Sequence, residues 1–309
     1  MCSSDLKPMT NADFAVDLPA RTAPGEYHLN FEVTLAADTP WAKAGHEIYQ
    51  TQFALETIPA PRPPARSGKI DLAFDNATGL LTRCERDGIA YLTGGATEAL
   101  WRPYAGMDSH PVWGPWAELW QPRPRQFKQI TTAGERTIVT TDTGEIVYSV
   151  REGRLCIEAE VRVTNSPRVG IGLVVAPGFE KLEWFGRGPG ENYCDRKEHT
   201  LVGRYESTVT AQHFPYIPPS ETGGHEETRW LKLSTAAGRS IIVTSPALFH
   251  FDARHSSVAD YRAAAHDHEL PRHAETFLHL DYRHAGIGGN RSEEHTSELQ
   301  SHSDLVCRL

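Results

Sequence analysis

The sequence is poor in the features that mark several well-known classes of protein. No run of about 18 apolar residues occurs, so we expect no membrane-spanning helix. Acidic residues outnumber basic ones, 40 to 31, and the formal charge of −9 argues against nucleic acid or an anionic membrane as a partner. The five cysteines are odd in number and have no short metal-type spacing. Reduced thiols in a cytoplasmic compartment are therefore favoured over a disulfide framework.

What the chain does contain indicates β structure. Its 309 residues suffice for one large or two ordinary domains, and a hydrophobic content of 39% can form a core. The 25 glycines and 21 prolines imply many turns. No internal repeat and no alternation of strands with helices is visible. These features favour a large antiparallel sandwich.

Period-2 alternation of apolar residues predicts the individual strands. Two strands are expected near the start, at residues 25–35 and 49–55, and a proline-rich linker follows at residues 59–65. Further strands are expected at 70–74, from 80 onward, at 146–150, 155–163, 241–243 and 277–282. One helix is expected over residues 258–267, with Ser257 as its N-cap and Asp260 at the third helical position.

The most unusual stretch covers residues 184–196 and reads W-F-G-R-G-P-G-E-N-Y-C-D-R. Three glycines and a proline within residues 186–192 disfavour the interior of a helix or strand, so a tight loop is predicted. Polar groups beside aromatic rings suit the recognition of a sugar. The alternative is a turn whose charges pair among themselves.

This stretch resembles the signature of the C-terminal domain of the family 2 β-galactosidases. Four other blocks agree in order, at residues 39–47, 99–102, 215–231 and 278–289, so the resemblance covers residues 11–289. The resemblance implies an all-β fold, in which a partial immunoglobulin-like sandwich precedes a large antiparallel β-supersandwich of the galactose-mutarotase type.

The domain boundaries follow from the linker and from the two ends. Residues 7–58 are interpreted as the last strands of the immunoglobulin-like domain, 59–67 as the linker and 68–290 as a supersandwich truncated at its C-terminus. Residues 1–6 and 291–309 resemble translated sequencing adapter, and we set them aside as scars.

A retaining glycosidase needs two carboxylates about 5–5.5 Å apart. Glu191 with Asp195, or Glu221 with Glu226 or Glu227, are the candidates in this chain. The resemblance instead places the catalytic glutamates on an upstream barrel domain, and it places the Mg and Na sites of the family in other domains too. It therefore implies that this chain contains no catalytic residue and no cofactor. For the intact enzyme it implies a galactoside substrate and homo-oligomeric assembly, with the barrel and N-terminal domains as partners of this chain.

Two other classes of function stay open, a stand-alone carbohydrate-binding module and an aldose 1-epimerase. An epimerase needs a histidine base opposite a carboxylate, and candidate histidines are His213, His225, His255, His266 and His268. The pair His266 and His268 is also a weak hint of a metal site. Four tryptophans (Trp101, Trp113, Trp116 and Trp120) form either a sugar-stacking platform or a packed cluster.

The site hypothesis rests on the blocks of the resemblance. Carbohydrate binding is assigned to Glu221, His225, Arg229 and Trp230. A structural role is assigned to the motif residues Trp184, Gly186, Gly188, Pro189, Glu191, Asn192, Tyr193, Asp195 and Arg196. Residues 103–108 depart from the pattern of the family, so the resemblance says nothing about the role of that loop.

Overall fold

A computed structural model describes residues 15–58, 68–106, 108, 120–288 and 305–308. Its contacts divide the chain into two compact units, Met1–Pro63 and Pro64–Leu309. Outside the described residues lie the predicted linker, Trp113 and Trp116. The same holds for the two ends of the chain, which are residues 1–14 and, apart from 305–308, the residues from 289 onward. The adapter interpretation of the ends stays a prediction.

The described secondary structure is almost entirely β, which confirms the predicted fold class. The strands are β1 (Gly25–Thr34), β2 (Glu47–Ile58), β3 (Ile70–Phe74), β4 (Leu81–Arg86), β5 (Ile89–Ala99), β6 (Phe127–Ala133), β7 (Arg136–Thr141), β8 (Gly144–Arg151), β9 (Arg154–Val161), β10 (Arg168–Val175), β11 (Phe179–Gly188), β12 (Leu201–Thr208), β13 (His225–Thr235), β14 (Ser240–Arg254), β15 (Thr276–His284) and β16 (Leu305–Arg308).

The first unit contains an antiparallel hairpin of β1 and β2. Phe31 packs edge-to-face on Phe53, with ring centroids 5.8 Å apart. Val33 pairs with Tyr49, and both side chains are at least half exposed. The hairpin therefore presents an apolar face to solvent.

The second unit is a sandwich of two antiparallel sheets. The large sheet has nine strands in the order β12-β11-β13-β14-β15-β10-β5-β4-β3, and the small sheet has five in the order β16-β9-β8-β7-β6. One core joins them, because Ile171 and Leu280 of the large sheet belong to the same buried cluster as Val139 and Ile146 of the small one. This arrangement confirms the predicted large antiparallel sandwich.

The predicted hairpin of β8 and β9 is present. Arg151 pairs with Arg154, and the two turn residues, Glu152 and Gly153, have φ angles of 53° and 68°. Two successive left-handed residues form the turn that matches the twist of adjacent strands. The glycine therefore fits its position for a conformational reason.

The predicted helix is shorter than its pattern suggests. Helix α1 covers Val258–Ala263, and a separate 3-10 turn follows at Asp267–Glu269. The predicted cap is confirmed, because Ser257 accepts from the backbone of Asp260 and the Asp260 side chain accepts in return. Ala264 is extended and ends the helix.

The prediction that residues 186–192 form only a loop is wrong at its start. Strand β11 continues through Gly186 to Gly188. A Cβ on Gly186 would lie 2.9 Å from the Cα of Thr228 on the neighbouring strand, and one on Gly188 would lie 2.7 Å from the Tyr205 ring. These glycines permit close packing of adjacent strands, so the entropic cost of glycine does not exclude a strand here.

Candidate functional site

The face of the large sheet that points away from the core is unusually polar. Along β14, His250, Asp252 and Arg254 alternate with the apolar Phe249, Phe251 and Ala253, and all six side chains are buried. The neighbouring strand β15 has His279 opposite Asp252 and Asp281 opposite His250. Because side chains alternate along a strand, these polar groups share one face.

Arg168 of β10 lies at the centre of this polar face and is completely buried. Its Nη2 donates to Asp281 Oδ2 at 2.7 Å and also to Asp252. Burial alone would lower the pKa of Arg168, but the adjacent carboxylates outweigh it and raise that pKa. Arg168 is therefore a permanent cation that compensates two buried anions.

Arg254 makes the second buried pair. Its Nη2 donates to Glu221, and its Nε lies 3.0 Å from Asp252 Oδ1. Burial raises the pKa of Asp252, but Arg254, His279 and Arg168 together hold that pKa well below its ordinary value. The network fixes the ionised carboxylate in place.

His250, Asp281 and His284 are the group with the geometry closest to that of a metal site among the described residues. Their potential ligand atoms all lie within 4.8 Å of one another. However, the two imidazoles stack with centroids 4.4 Å apart and planes only 24° apart, so their lone pairs lie in separate, nearly parallel planes. Asp281 also accepts from Arg168, whose cation disfavours a metal ion beside it. Asp281 is therefore already engaged by a cation of the protein itself.

Loops that cover the polar face bring distant sequence blocks together. Glu191 accepts from the Gly223 backbone at 2.9 Å and from Thr222 at 3.1 Å. The backbone N–H of Asn192 donates to Gly224 O at 2.8 Å, and its side chain accepts from Glu226 at the same distance. The loop after β11 is thereby held to the segment that leads into β13.

The sequence blocks at residues 99–102 and 184–196 both contact the block at residues 278–289, near Gly286. Asp195 accepts from the backbone of Gly288 at 2.7 Å and of Ile287 at 3.2 Å. Arg102 donates to Gly286 O at 2.9 Å and to Asp108 at 2.7 Å. Four of the five blocks that the sequence singles out therefore converge, although Arg102 and Gly286 are separated by 184 positions.

The structure does not bring the four predicted carbohydrate-binding residues into one open site. Glu221 is buried against Arg254, and His225 is buried between Trp184 and Phe251, with burial lowering its pKa to about 3. Arg229 lies over the Phe185 ring, and the half-buried Trp230 lies under Arg204. Their role in binding carbohydrate stays a prediction.

The motif residues are mostly buried and bonded, as a structural role requires. Trp184, Asn192 and Tyr193 have no exposed surface, and Tyr193 accepts from the backbone of Gly224 at 3.2 Å. Glu191 also pairs with Arg196 and accepts from Tyr216. These contacts favour the interpretation in which the charges of the stretch pair among themselves.

The remaining sequence candidates have structural partners too. His213 contacts Asp267 at 2.6 Å, and His255 contacts Glu180 at 2.7 Å. The rings of His266 and His268 stack with centroids 5.5 Å apart. The indole N–H of Trp101 donates to the backbone O of Trp120 at 2.7 Å, so two of the four tryptophans are in contact.

Sequence reasoning missed Arg168, Asp252, Arg254 and Asp281, which form the buried network. A signal was available, because charged residues occupy every second position of the otherwise apolar stretch F-H-F-D-A-R at 249–254. Alternation of this kind predicts a strand with one polar face, but burial of that face cannot be predicted from the strand alone.

The fold and the converging loops define an all-β sandwich whose polar face is closed by its own motif segments. Residues 66–302 match the family described as the beta galactosidase small chain, and residues 2–56 match beta-galactosidase domain 4. The chain belongs to the beta galactosidase small chain family, which confirms the resemblance.

The individual relatives that match the chain are beta-galactosidases too. The chain is 28% identical to a beta-galactosidase of Vibrio cholerae over 79% of its own length, and 23% identical to one of Streptococcus thermophilus over 89%. A shorter match of 32% identity, to a beta-galactosidase of Staphylococcus xylosus, covers 40% of the chain. The chain spans 28% of the Vibrio cholerae protein and 30% of the Streptococcus thermophilus protein. No helix in the described part of the chain is long and apolar enough to cross a membrane.

Proposed function

We propose that this chain is the C-terminal region of a β-galactosidase and that the intact enzyme hydrolyses terminal non-reducing β-D-galactosides with retention. The observation that carries the proposal is the order of the two family matches, domain 4 followed by the small chain. In this proposal the chain shapes the substrate pocket and supports assembly, and it does not perform the hydrolysis.

The state of the carboxylates supports a non-catalytic role. A retaining pair must reach the substrate, with one group as nucleophile and the other as acid. Glu191 is held by four donors, Asp195 by two backbone amides and Glu221 by Arg254. Glu227 pairs with Arg187 at 2.9 Å and with Lys197 at 2.7 Å. Groups engaged in this way stabilise loops.

The segment from Glu221 to Trp230 is the part of the chain that we expect to face the substrate of the intact enzyme. Partly exposed polar and aromatic groups occur there at Arg229 and Trp230. We further propose that the galactoside, the preceding barrel domain and other copies of the enzyme are its partners in a cytoplasmic homo-oligomer. The metal ions of the family belong to other domains in this proposal.

A chimera tests this function. The present chain would replace the matching 28% of the Vibrio cholerae relative, and hydrolysis of a chromogenic β-galactoside would be measured. We expect turnover from the chimera and none from the same protein with the segment deleted. A chimera that folds, as judged by size-exclusion chromatography and circular dichroism, but has no activity would contradict the proposal.

A further inference from the structure

A cavity of about 330 Å³ opens in the second unit, beside the ends of β5 and β10. Its wall contains hydroxyl, amide, guanidinium, imidazole and indole groups, among them Thr97, Trp101, Trp120, Asn165, Arg262 and His279. The volume lies at the lower end of the range for small-molecule sites. It therefore suits a ligand the size of one sugar ring.

His279 is the most informative residue of the wall. It is only 8% exposed, and its Nδ1 donates to Asp252 Oδ1 at 2.8 Å. Its Nε2 has no hydrogen-bond partner among the residues that the structure describes. Because His279 lines the cavity, a ligand hydroxyl there can supply the partner that Nε2 lacks.

Asp252 fixes the orientation in which His279 meets a ligand. The carboxylate is wholly buried and is held ionised by Arg168 and Arg254. An ionised carboxylate accepts the proton on Nδ1, which leaves Nε2 as the ring nitrogen that a ligand can use. The imidazole is therefore held in one orientation, with Nε2 available for a hydrogen bond to a ligand.

Gly172 keeps the space in front of His279 Nε2 open. It lies on β10 between Thr97 of β5 and His279 of β15, to which it is paired in register. A Cβ at this position would lie 3.2 Å from Thr97 Oγ1 and 3.6 Å from His279 Nε2. Any larger residue would fill the gap between the hydroxyl and the imidazole.

Trp101 supplies an apolar surface to the same cavity. Its indole N–H is already used in the bond to Trp120 O, so its ring has no free polar group. Rings of this kind pack against the C–H faces of sugars because those faces are apolar.

The buried charges of the wall are compensated. Arg125 donates to Glu98 at 2.9 Å, and Glu98 also accepts from Thr141 at 2.6 Å. A wall whose inner charges are already paired favours a neutral ligand over an anion. Arg123 and Arg262 are exposed side chains.

We propose that this cavity binds a neutral monosaccharide, with one sugar hydroxyl hydrogen-bonded to His279 Nε2, another hydroxyl contacting Thr97 and one face of the ring against Trp101. This site is distinct from the segment that we expect to face the galactoside of the intact enzyme. Binding here needs no other domain and no catalysis.

The test is equilibrium binding of D-galactose and D-glucose to the full chain, measured by calorimetry and by tryptophan fluorescence. We expect saturable binding of at least one of them, weakened about five- to tenfold in His279→Ala because one hydrogen bond is lost. Gly172→Ala should also weaken sugar binding, because the added methyl group would occupy the space between Thr97 and His279. His266→Ala, which changes an exposed histidine, is the matched control and should bind as the parent does.

Thr97→Val removes the hydroxyl and keeps the shape of the side chain. This variant tests the proposal if the other variants fail to fold. Chemical shifts of His279 in the parent protein give a second readout, which should change on addition of the sugar and not on addition of sodium chloride. The proposal is overturned if neither sugar binds up to its solubility limit. It is equally overturned if folded His279→Ala and Thr97→Val bind as tightly as the parent, or if an anionic sugar binds more tightly than both neutral ones.

Discussion

Arg168 and Asp281 form a fully buried ion pair, in which Nη2 lies 2.7 Å from Oδ2 and Nε lies 3.1 Å from both carboxylate oxygens. The pair joins β10 to β15, and the same guanidinium also reaches Asp252 on β14. One side chain thereby compensates carboxylates from two strands at the centre of the large sheet.

Removal of that guanidinium should be costly. In Arg168→Met two buried carboxylates would lose the cation that they share, so we expect the free energy of unfolding to fall by about 3–5 kcal/mol. Denaturant titration of the full chain measures the change. The matched control is Arg162→Met, because Arg162 makes an ion pair with Glu160 while its side chain is 71% exposed. A surface pair contributes about 0–1 kcal/mol. Equal losses in the two variants would contradict the role of the network.

The glycines of the motif differ in what surrounds them, and this difference predicts unequal effects of alanine. In Gly186→Ala the new methyl group would meet Thr228 backbone atoms at 2.9 Å, so we expect a loss of about 1–3 kcal/mol. Gly190→Ala should change stability by less than about 0.5 kcal/mol, since nothing lies within 4 Å of its Cβ position. Thermal unfolding of both variants distinguishes a packing requirement from a general need for flexibility.

Local sequence patterns predict some features of this fold and not others. Alternation predicts the strands because it reports directly on which side chains are buried, and Ser257 with Asp260 predicts a cap from contacts three residues apart. The convergence of Arg102, Asp195 and Glu191 with distant loops depends on tertiary pairing, which local patterns do not encode. The loop prediction is wrong for Gly186 because propensity rules describe the glycine itself and not the neighbouring strand that requires it.

Burial of His225 predicts an acid-sensitive contribution to stability. Burial lowers its pKa from 6.5 to about 3 in the folded chain, so between these values the unfolded chain binds more protons. The contribution is present above about pH 6.5 and is lost as the pH falls toward 3, with a slope of at most about 1.4 kcal/mol per pH unit.

The measurement is the free energy of unfolding from pH 7 to pH 4. His225→Gln should reduce the slope, whereas the exposed control His266→Ala should leave it unchanged. Nitrogen chemical shifts of the native protein give an independent check. They should show a neutral His225 imidazole at pH 5, and a titration midpoint near 6.5 would disprove the assignment.

The exposed face of the hairpin predicts self-association. Val33, Tyr49 and Phe53 are each about half exposed on one face of β1 and β2. We expect Val33→Lys to reduce association of the chain, as measured by sedimentation velocity, because a charge on the apolar face opposes contact. Thr34→Lys adds the same charge to the exposed position next to it, on the opposite face, and should have a smaller effect.

Hydrolysis by the purified chain alone tests the central claim most directly. A chromogenic β-galactoside would be incubated with the full chain, and product release would be compared with buffer. The account predicts no release above buffer, because Glu191, Asp195 and Glu221 are held by structural partners. Turnover that survives repurification and disappears in Glu191→Gln or Glu221→Gln would contradict it.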